Sequence, residues 1–254
     1  MLLIYPPFNT YHNFYQSIAA NSSFSRYNTL YDVHAVRLSD VPPFTYPLFE
    51  NPMSHRPPAD LLKSAKHWRE DINFRQDVLG KPFDFATTWG IFSPQKLDDG
   101  SLMLLDYVDF QADDDSIDLG CGYGVLGMTA ARECPNGLHT LIDKDFMAVE
   151  YARLNCEKNG LKNVDVHLSN GFNHVDKAKD FSLVMSNLPA KVGKEQHYLY
   201  FLDAHARMRK GGRFYVVTIN GLRQFMKRSF TEVFGNSEKI KQGKTYTITM
   251  ATKD

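Results

Sequence analysis

The chain has 254 residues, 43% of them hydrophobic and 23% charged. This ordinary globular mixture excludes a wholly disordered or collagen-like protein and fits one large domain or a domain with an appendage. Lysine plus arginine balance aspartate plus glutamate at 29 each, but unevenly: residues 83–190 hold 8 basic and 17 acidic groups, and residues 191–254 hold 13 and 5. Such asymmetry fits either a face turned toward a polyanion or two surfaces that pair with each other. No uncharged apolar run approaches the ~20 residues that span a bilayer, and Met1-Leu2-Leu3-Ile4-Tyr5 lacks the length and basic flank of a signal sequence. Three scattered cysteines, Cys121, Cys134 and Cys156, form no CxxC pair and argue against a disulfide framework or a zinc site. The expectation is a cytoplasmic protein with no membrane span and no metal, its oligomeric state open and compatible with a monomer.

Nine of the twelve prolines precede residue 83, which leaves little room for long helices or central strands. Phe8, Tyr11, Phe14, Tyr15, Phe24, Tyr27 and Tyr31 are nevertheless too many aromatics for a disordered tail. Residues 1–82 read as an irregular, packed N-terminal lobe closed by a helix near Pro58–Leu79, with residues 83–254 as the principal domain. From residue 83 strands alternate with helices. Strands are predicted over Ser116–Leu119, Leu138–Ile142, Val164–Leu168, Phe181–Ser186, Arg213–Ile219 and Thr245–Ala251. Helices are predicted over Val125–Glu133, Phe146–Asn159 and Gln196–Arg209, the last stopped by Gly211-Gly212. This alternation specifies an α/β fold, a doubly wound, mostly parallel sheet with ligands at the carboxyl ends of its strands.

The loop Asp118-Leu119-Gly120-Cys121-Gly122-Tyr123-Gly124 joins the first of these strands to a helix. Gly122, Gly124 and Gly127 spell GxGxxG and Asp143 lies 21 residues after Gly122, a spacing that admits a nucleotide-binding oxidoreductase. Asp118 argues the other way. A carboxylate two residues before the first glycine repels a pyrophosphate but suits a cationic sulfonium amino acid. Asp143, at the end of the second strand, can accept from both hydroxyls of a ribose, or it can cap the helix that follows. Cys121 reads as a small loop residue and not a nucleophile, and His197 and His205, eight residues apart without a third ligand, do not make a metal site. Arg223, Lys227 and Arg228 recur at helical spacing as a phosphate-facing stripe or a solvated helix face; Lys210 and Arg213 extend the same choice.

Asp118 through Gly124, D-x-G-x-G-x-G, resembles the first motif of class I S-adenosylmethionine-dependent methyltransferases, whose seven-stranded, Rossmann-like fold is implied with it. By that resemblance Gly120, Cys121, Gly122 and Gly124 form the cofactor loop, Asp118 serves the amino-acid end, and Asp143 with Lys144 holds the ribose. Asn170, Gly171 and Phe172 correspond to the segment beside the adenine. Asn187-Leu188-Pro189-Ala190 resembles the N-P-P-[aromatic or aliphatic] motif of methyltransferases that act on exocyclic amines. There the side-chain carbonyl of Asn187 and the main-chain carbonyl of Leu188 would accept the amine hydrogens while Pro189 stiffens the loop. That arrangement aims a poorly nucleophilic nitrogen by orientation, without strong base catalysis.

Gly90-Ile91-Phe92-Ser93 and Leu97-Asp98-Asp99-Gly100-Ser101 look like the GVFS…LD.GS signature of the small-methyltransferase-domain group, typified by bacterial ribosomal RNA guanine-N2 methyltransferases. The resemblance covers about residues 83–251 and implies an N-methyltransferase that uses S-adenosylmethionine on ribosomal RNA. Asn187 then also touches the cofactor, and Phe92, Ala190, Lys191, Arg223, Lys227 and Arg228 face the substrate. Leu188 stands where the group usually has proline, and Ala190 where many members carry a base-stacking ring. Phe92, Tyr123 or an N-terminal aromatic must then supply the stacking face. A protein or small-molecule acceptor, and a non-catalytic binding module, are the other readings of the altered motif.

Overall fold

The computed structural model describes residues 58–189 and 192–254. The lobe up to residue 57, and Ala190 and Lys191, lie outside the described residues. The described chain opens with helix α1 (Ala59–His67) and an antiparallel hairpin, β1 (Ile72–Val78) and β2 (Lys81–Thr87). The one helix expected near Pro58–Leu79 is therefore a short helix followed by a strand. Apolar residues at 72, 74 and 78 keep a period of two, and Leu79 and Gly80 both have positive φ, 51° and 72°, the conformation of a two-residue hairpin turn.

The division expected between residues 82 and 83 falls inside β2, which belongs structurally to the principal domain. Phe83 and Phe85 are buried and stack in series with Phe74. The free edge of β2 is paired by two side-chain amides. Asn155 accepts from the Ala86 amide at 2.7 Å and donates to the Ala86 carbonyl at 3.0 Å. Asn159 does the same at Asp84, at 3.0 and 2.7 Å. Residues four apart on a helix rise ~6 Å, close to the ~6.6 Å between alternate residues of a strand, so the two asparagines substitute for a neighbouring strand.

After α2 (Asp99–Leu105) come β3 (Ser116–Leu119), α3 (Val125–Glu133), β4 (His139–Asp143), α4 (Phe146–Lys158), β5 (Val164–Leu168), a 3₁₀ turn (Gly171–His174) and β6 (Phe181–Asn187). The chain then continues through α5 (Lys194–Arg207), β7 (Met208–Ile219), α6 (Arg223–Phe234), β8 (Glu238–Gln242) and β9 (Tyr246–Thr252). The sheet order is β5-β4-β3-β6-β7-β9-β8, with β9 running against both neighbours and the rest parallel. Alternate residues of the central strands face opposite layers. Leu183, Met185, Tyr215 and Val217 join Met128 and Val149 under α3 and α4, while Val184, Phe214 and Val216 join Phe201 and Phe230 under α5 and α6.

The predicted helix stop at Gly211-Gly212 is instead part of β7. Phe181 pairs with Met208 and Leu183 with Arg213, so the intervening residues bulge outward. Gly211 (φ 76°) donates to the Lys253 carbonyl and Gly212 accepts from the Lys253 amide. A Cβ at Gly212 would stand 2.8 Å from the Arg209 carbonyl, which explains a glycine there. The amino end of the sheet is closed by charge. The buried Asp114 holds Arg213 at 2.5 and 2.7 Å, and Arg209 bridges Asp115 and Asp180.

Candidate active site

At the opposite, carboxyl end of the sheet a cleft of about 360 Å³ opens between the ends of β3, β4 and β6. Its floor is the glycine loop. Gly120, Gly122 and Gly124 have φ of 77°, 54° and 101°, a left-handed backbone that favours glycine. Among the described residues nothing beyond the chain neighbours lies within 4 Å of a Cβ placed on Gly120 or Gly122, so their open sides are available to a ligand. Gly124 is not in the lining; it caps α3 and turns the chain into the helix. A Cβ on Gly127 would stand 2.4 Å from Leu141 Cγ, so this glycine lets α3 lie against β4.

Two carboxylates fix the loop. Asp118 is fully buried, and its Oδ2 accepts from the Gly127 amide at 2.8 Å. Asp118 is among the residues lining the cleft, and its Oδ1, itself buried, has no partner among the described residues. Burial pushes this carboxyl up to about 7, against the Gly127 hydrogen bond and with help from the Asp143 charge. Asp143 accepts from the Gly122 amide at 2.9 Å and from the Asp145 amide at 2.9 Å. The helix cap is Asp145, which accepts from the amides of Met147 and Ala148. The capping role weighed for Asp143 thus belongs to its neighbour, and each Asp143 oxygen keeps a second lone pair for a ligand. Cys121 is buried, and desolvation followed by the Asp118 and Asp143 charges drives its thiol well up, so it is no nucleophile at neutral pH.

Lys144, Ser169 and Gly171 also line the cleft, and Gly171 (φ 58°) leaves room for the Tyr200 ring that faces it. Asn170 and Phe172 are outside the lining; the Phe172 side chain is a core residue packed near Phe181. Tyr123, a candidate stacking ring, is committed elsewhere. It is buried edge-on to Phe74 and Phe85 and donates toward the carbonyls of Ser93 and Lys96. Phe92 remains. Gly90 (φ 98°) and Ser93 (φ 50°) bracket a tight turn that leaves Phe92 65% exposed at the cleft. A non-glycine residue held in the left-handed region costs of order 1 kcal/mol or more.

Asn187 ends β6 in the cleft wall with Leu188 and Pro189. Its Nδ2 donates to Asp98 Oδ2 at 2.8 Å and to Ser101 Oγ at 2.9 Å. The Leu188 side chain is buried and its amide donates to the Val217 carbonyl, which fixes the height of the loop. On α5, His197 is buried between Phe201 and Phe225, and desolvation lowers its pKa, so it is a neutral core ring. Asp98, Ser101, Val192, Tyr200, Ile219 and Tyr246 are lining residues to which the sequence assigned no role. Asp98-x-x-Ser101 has the spacing of a helix cap, and Asp98 does cap α2. Tyr246 has no local signal.

Of the basic residues, Arg213 and Arg209 are bound to carboxylates at the amino end, away from the cleft. Arg223 follows β7 at the carboxyl end and donates to Gln242. Arg223 and Lys227 share a shallow polar groove with Gln224, Ser237, Lys239 and Thr249. Arg228 is exposed and 3.8 Å from Glu232.

A parallel sheet in this strand order, a glycine loop facing an unpaired buried carboxylate, an acidic residue ending the second strand and an Asn at the end of the fourth define the class I methyltransferase fold. The sequence profile of the methyltransferase small domain matches residues 82–250, and the chain belongs to that family, which displaces the oxidoreductase alternative. Protein YbxB of Bacillus subtilis is 30% identical over 155 residues, 61% of this chain and 76% of that one. Ribosomal RNA small subunit methyltransferase C of Pseudomonas putida is 35% identical over 147 residues, 56% of this chain and 43% of that one. Among solved structures, the T. thermophilus 16S rRNA guanine-N2 methyltransferase in complex with AdoMet and guanosine superposes with a TM-score of 0.66 at 26% identity, covering 72% of this chain and 51% of that one. The chain thus spans about half the length of these ribosomal RNA methyltransferases.

Proposed function

We propose that the protein is a cytoplasmic N-methyltransferase that moves a methyl group from S-adenosylmethionine to an exocyclic amine, guanine N2 of ribosomal RNA. The observation that carries this reading is Asn187. Both hydrogens of its amide are taken by Asp98 and Ser101, which leaves a hydrogen-bond acceptor, Oδ1, as the group it can offer in the cleft. An acceptor at that point recognises N–H, and the two solved or curated relatives named above act on ribosomal RNA.

The cofactor site fits by its own chemistry. The unpaired Oδ1 of Asp118 suits an ammonium group, the bare faces of Gly120 and Gly122 admit close approach, and Asp143 has lone pairs free for ribose hydroxyls. A pyrophosphate would meet Asp118 as a repulsive charge. S-adenosylmethionine supplies an electrophilic methyl group. Asn187, with the main chain at Leu188 and a loop stiffened by Pro189, would aim the amine lone pair in line with the sulfur–methyl bond, which breaks as the nitrogen–methyl bond forms and the displaced amine proton passes to solvent, an orientation effect. No cysteine or histidine is needed as nucleophile or base. Phe92, exposed at the cleft, would stack on a flipped-out base, and Lys191, Arg223, Lys227 and Arg228 would meet the surrounding phosphates.

Incubation with methyl-labelled S-adenosylmethionine and separated RNA and protein fractions of a cell extract tests the reading. Label is expected in ribosomal RNA and, after digestion, in N2-methylguanosine. Asn187→Ala should lower transfer ~10²-fold with cofactor affinity intact. Label confined to protein, or wild-type turnover by the variant, would replace this reading with a different acceptor.

A further inference from the structure

The segment Leu97-Asp98-Asp99-Gly100-Ser101 lies 86 to 89 residues before Asn187, at its hydrogen-bonding partners, and helix capping alone does not account for its composition. A side-chain amide can present either its oxygen or its NH₂ to a ligand, and rotating it by half a turn exchanges the two. Ser101 cannot decide between them, because a hydroxyl both donates and accepts. Asp98 can, because an ionised carboxylate only accepts. Its Oδ2 lies 2.8 Å from Asn187 Nδ2 and 3.0 Å from the Ser101 amide. Its Oδ1 accepts from the Tyr246 hydroxyl at 3.2 Å. Burial, and then the charge of Asp98, raise the pKa of that phenol, so it remains a donor. Gly100 completes the arrangement: a Cβ there would stand 2.8 Å from Asp98 Oδ2 and 3.0 Å from the Tyr246 ring.

The geometry points to Asp98 as the positioning residue that sets the amide of Asn187 with its oxygen toward the methyl acceptor. Tyr246 and Gly100 hold Asp98 in place for this task. The consequence is specificity. With Asn187 fixed as an acceptor, the site favours a nucleophile that carries N–H over an isosteric carbonyl or ether oxygen, which would leave two acceptors face to face. The inference rests on the amine-methyltransferase reading but not on the identity of the RNA.

Two readouts separate its failure from failure of that reading. The first needs no acceptor: the side-chain NH₂ pair of Asn187 in the ¹⁵N-labelled full chain, assigned by its loss in Asn187→Ala. Asp98→Ala and Gly100→Ala should each speed its exchange with solvent by about tenfold or more. Asp98→Asn, whose oxygen the donating Ser101 amide would hold in the same place while its NH₂ meets Tyr246, should stay near wild type. The second is transfer of labelled methyl to ribosomal RNA. Asp98→Ala should lower kcat about 10- to 100-fold with KM for S-adenosylmethionine within about twofold, and Asp98→Asn should recover most of the loss. Unchanged amide exchange in Asp98→Ala overturns the positioning role whatever the acceptor is. Asp98→Asn as inactive as Asp98→Ala overturns it as well, by showing that the charge itself is required. Failure of the wild-type chain to methylate any RNA, with the exchange result as expected, overturns only the RNA reading.

Discussion

Between pH 5 and 7, cofactor affinity should depend on pH through Asp118. The folded protein holds the Asp118 proton up to about pH 7 because the carboxyl is buried, whereas the ordinary value is 3.8. Below pH ~4 the carboxyl is neutral in both folded and unfolded chains, and its contribution to stability is fully present. That contribution is lost as pH rises through about 7, and the difference corresponds to about 4 kcal/mol at most. A cationic amino group placed against the free Oδ1 favours the ionised form, so binding near pH 6 must expel the proton. Affinity should therefore rise about tenfold per pH unit between 5 and 7, about 1.4 kcal/mol per unit. It should then level until the ligand's own ammonium deprotonates near pH 8. The other titratable groups shown with displaced pKa values in the lining are Cys121, Tyr123, Tyr200 and Tyr246, all moved upward, so none of them charges in this window. Calorimetry with S-adenosylhomocysteine in buffers of different ionisation enthalpy counts the proton, which should approach one near pH 6. Asp118→Asn keeps an acceptor for the Gly127 amide and should bind with a flat profile. A flat profile in the wild type, or the same slope in Asp118→Asn, would refute the argument that this carboxyl faces the cofactor's ammonium.

Asp143→Ala removes the acceptor for the Gly122 and Asp145 amides together with any acceptor for a ribose. Equilibrium dialysis should show cofactor binding weaker by about 1.5–3 kcal/mol. Gly127→Ala drives a methyl group into Leu141 and should cost about 1–3 kcal/mol, seen as a melting temperature lower by several degrees. Asn155→Ala strips three buried hydrogen bonds, to both sides of Ala86 and to the Tyr123 carbonyl. Denaturant titration should show a loss of at least about 2 kcal/mol, and protease sensitivity should rise first in the hairpin. Replacing Arg223, Lys227 and Arg228 together with Gln should flatten the salt dependence of RNA binding by up to about 0.7 in log–log slope for each phosphate no longer neutralised and spare cofactor binding, as filter binding at several salt concentrations would register.

What the sequence made legible is what chain-local physics specifies. β3 and β5 and α3 match their predicted limits because glycines, asparagine stops and β-branched runs punctuate them within a few residues. The glycine loop, Asp143 and Asn187 declare themselves because each ends a strand on the same side of the sheet. The hairpin is hidden because Pro82 suggests a break, although proline is tolerated at the start of a strand whose pairing partner lies on one side only. The bulge at Gly211-Gly212 and the helix stop it resembles use the same residue type for the same reason, a left-handed backbone. Tyr123 reads as free to stack because nothing local reveals that Phe74 and Phe85 cover it from a hairpin some forty residues earlier. Asp98 and Tyr246 meet only through the closed sheet, 148 residues apart, and no spacing rule reaches that far.

The charge asymmetry along the chain has a structural answer that divides it in two. Acidic Asp109, Asp114, Asp115 and Asp180 and basic Arg209 and Arg213 come together at the amino end of the sheet, so part of the acidic middle is spent on the basic last quarter. Pairing with a carboxylate that is nearly fully buried, as at Asp114, leaves Arg213 no freedom to serve a ligand. The cations that remain lie elsewhere. Arg223, Lys227 and Lys239 share one groove between α6 and the edge strands β8 and β9, and Lys241 is placed over the Tyr107 ring. None of Arg223, Lys227 or Lys239 has a carboxylate within salt-bridge distance among the described residues. The reading in which the two surfaces pair with each other accounts for the amino end of the sheet; a face turned toward a polyanion belongs to the proposed function. The pairing at the amino end takes up Asp109, Asp114, Asp115 and Asp180 on the side away from the cleft, while Arg223 heads α6 just after the carboxyl end of β7.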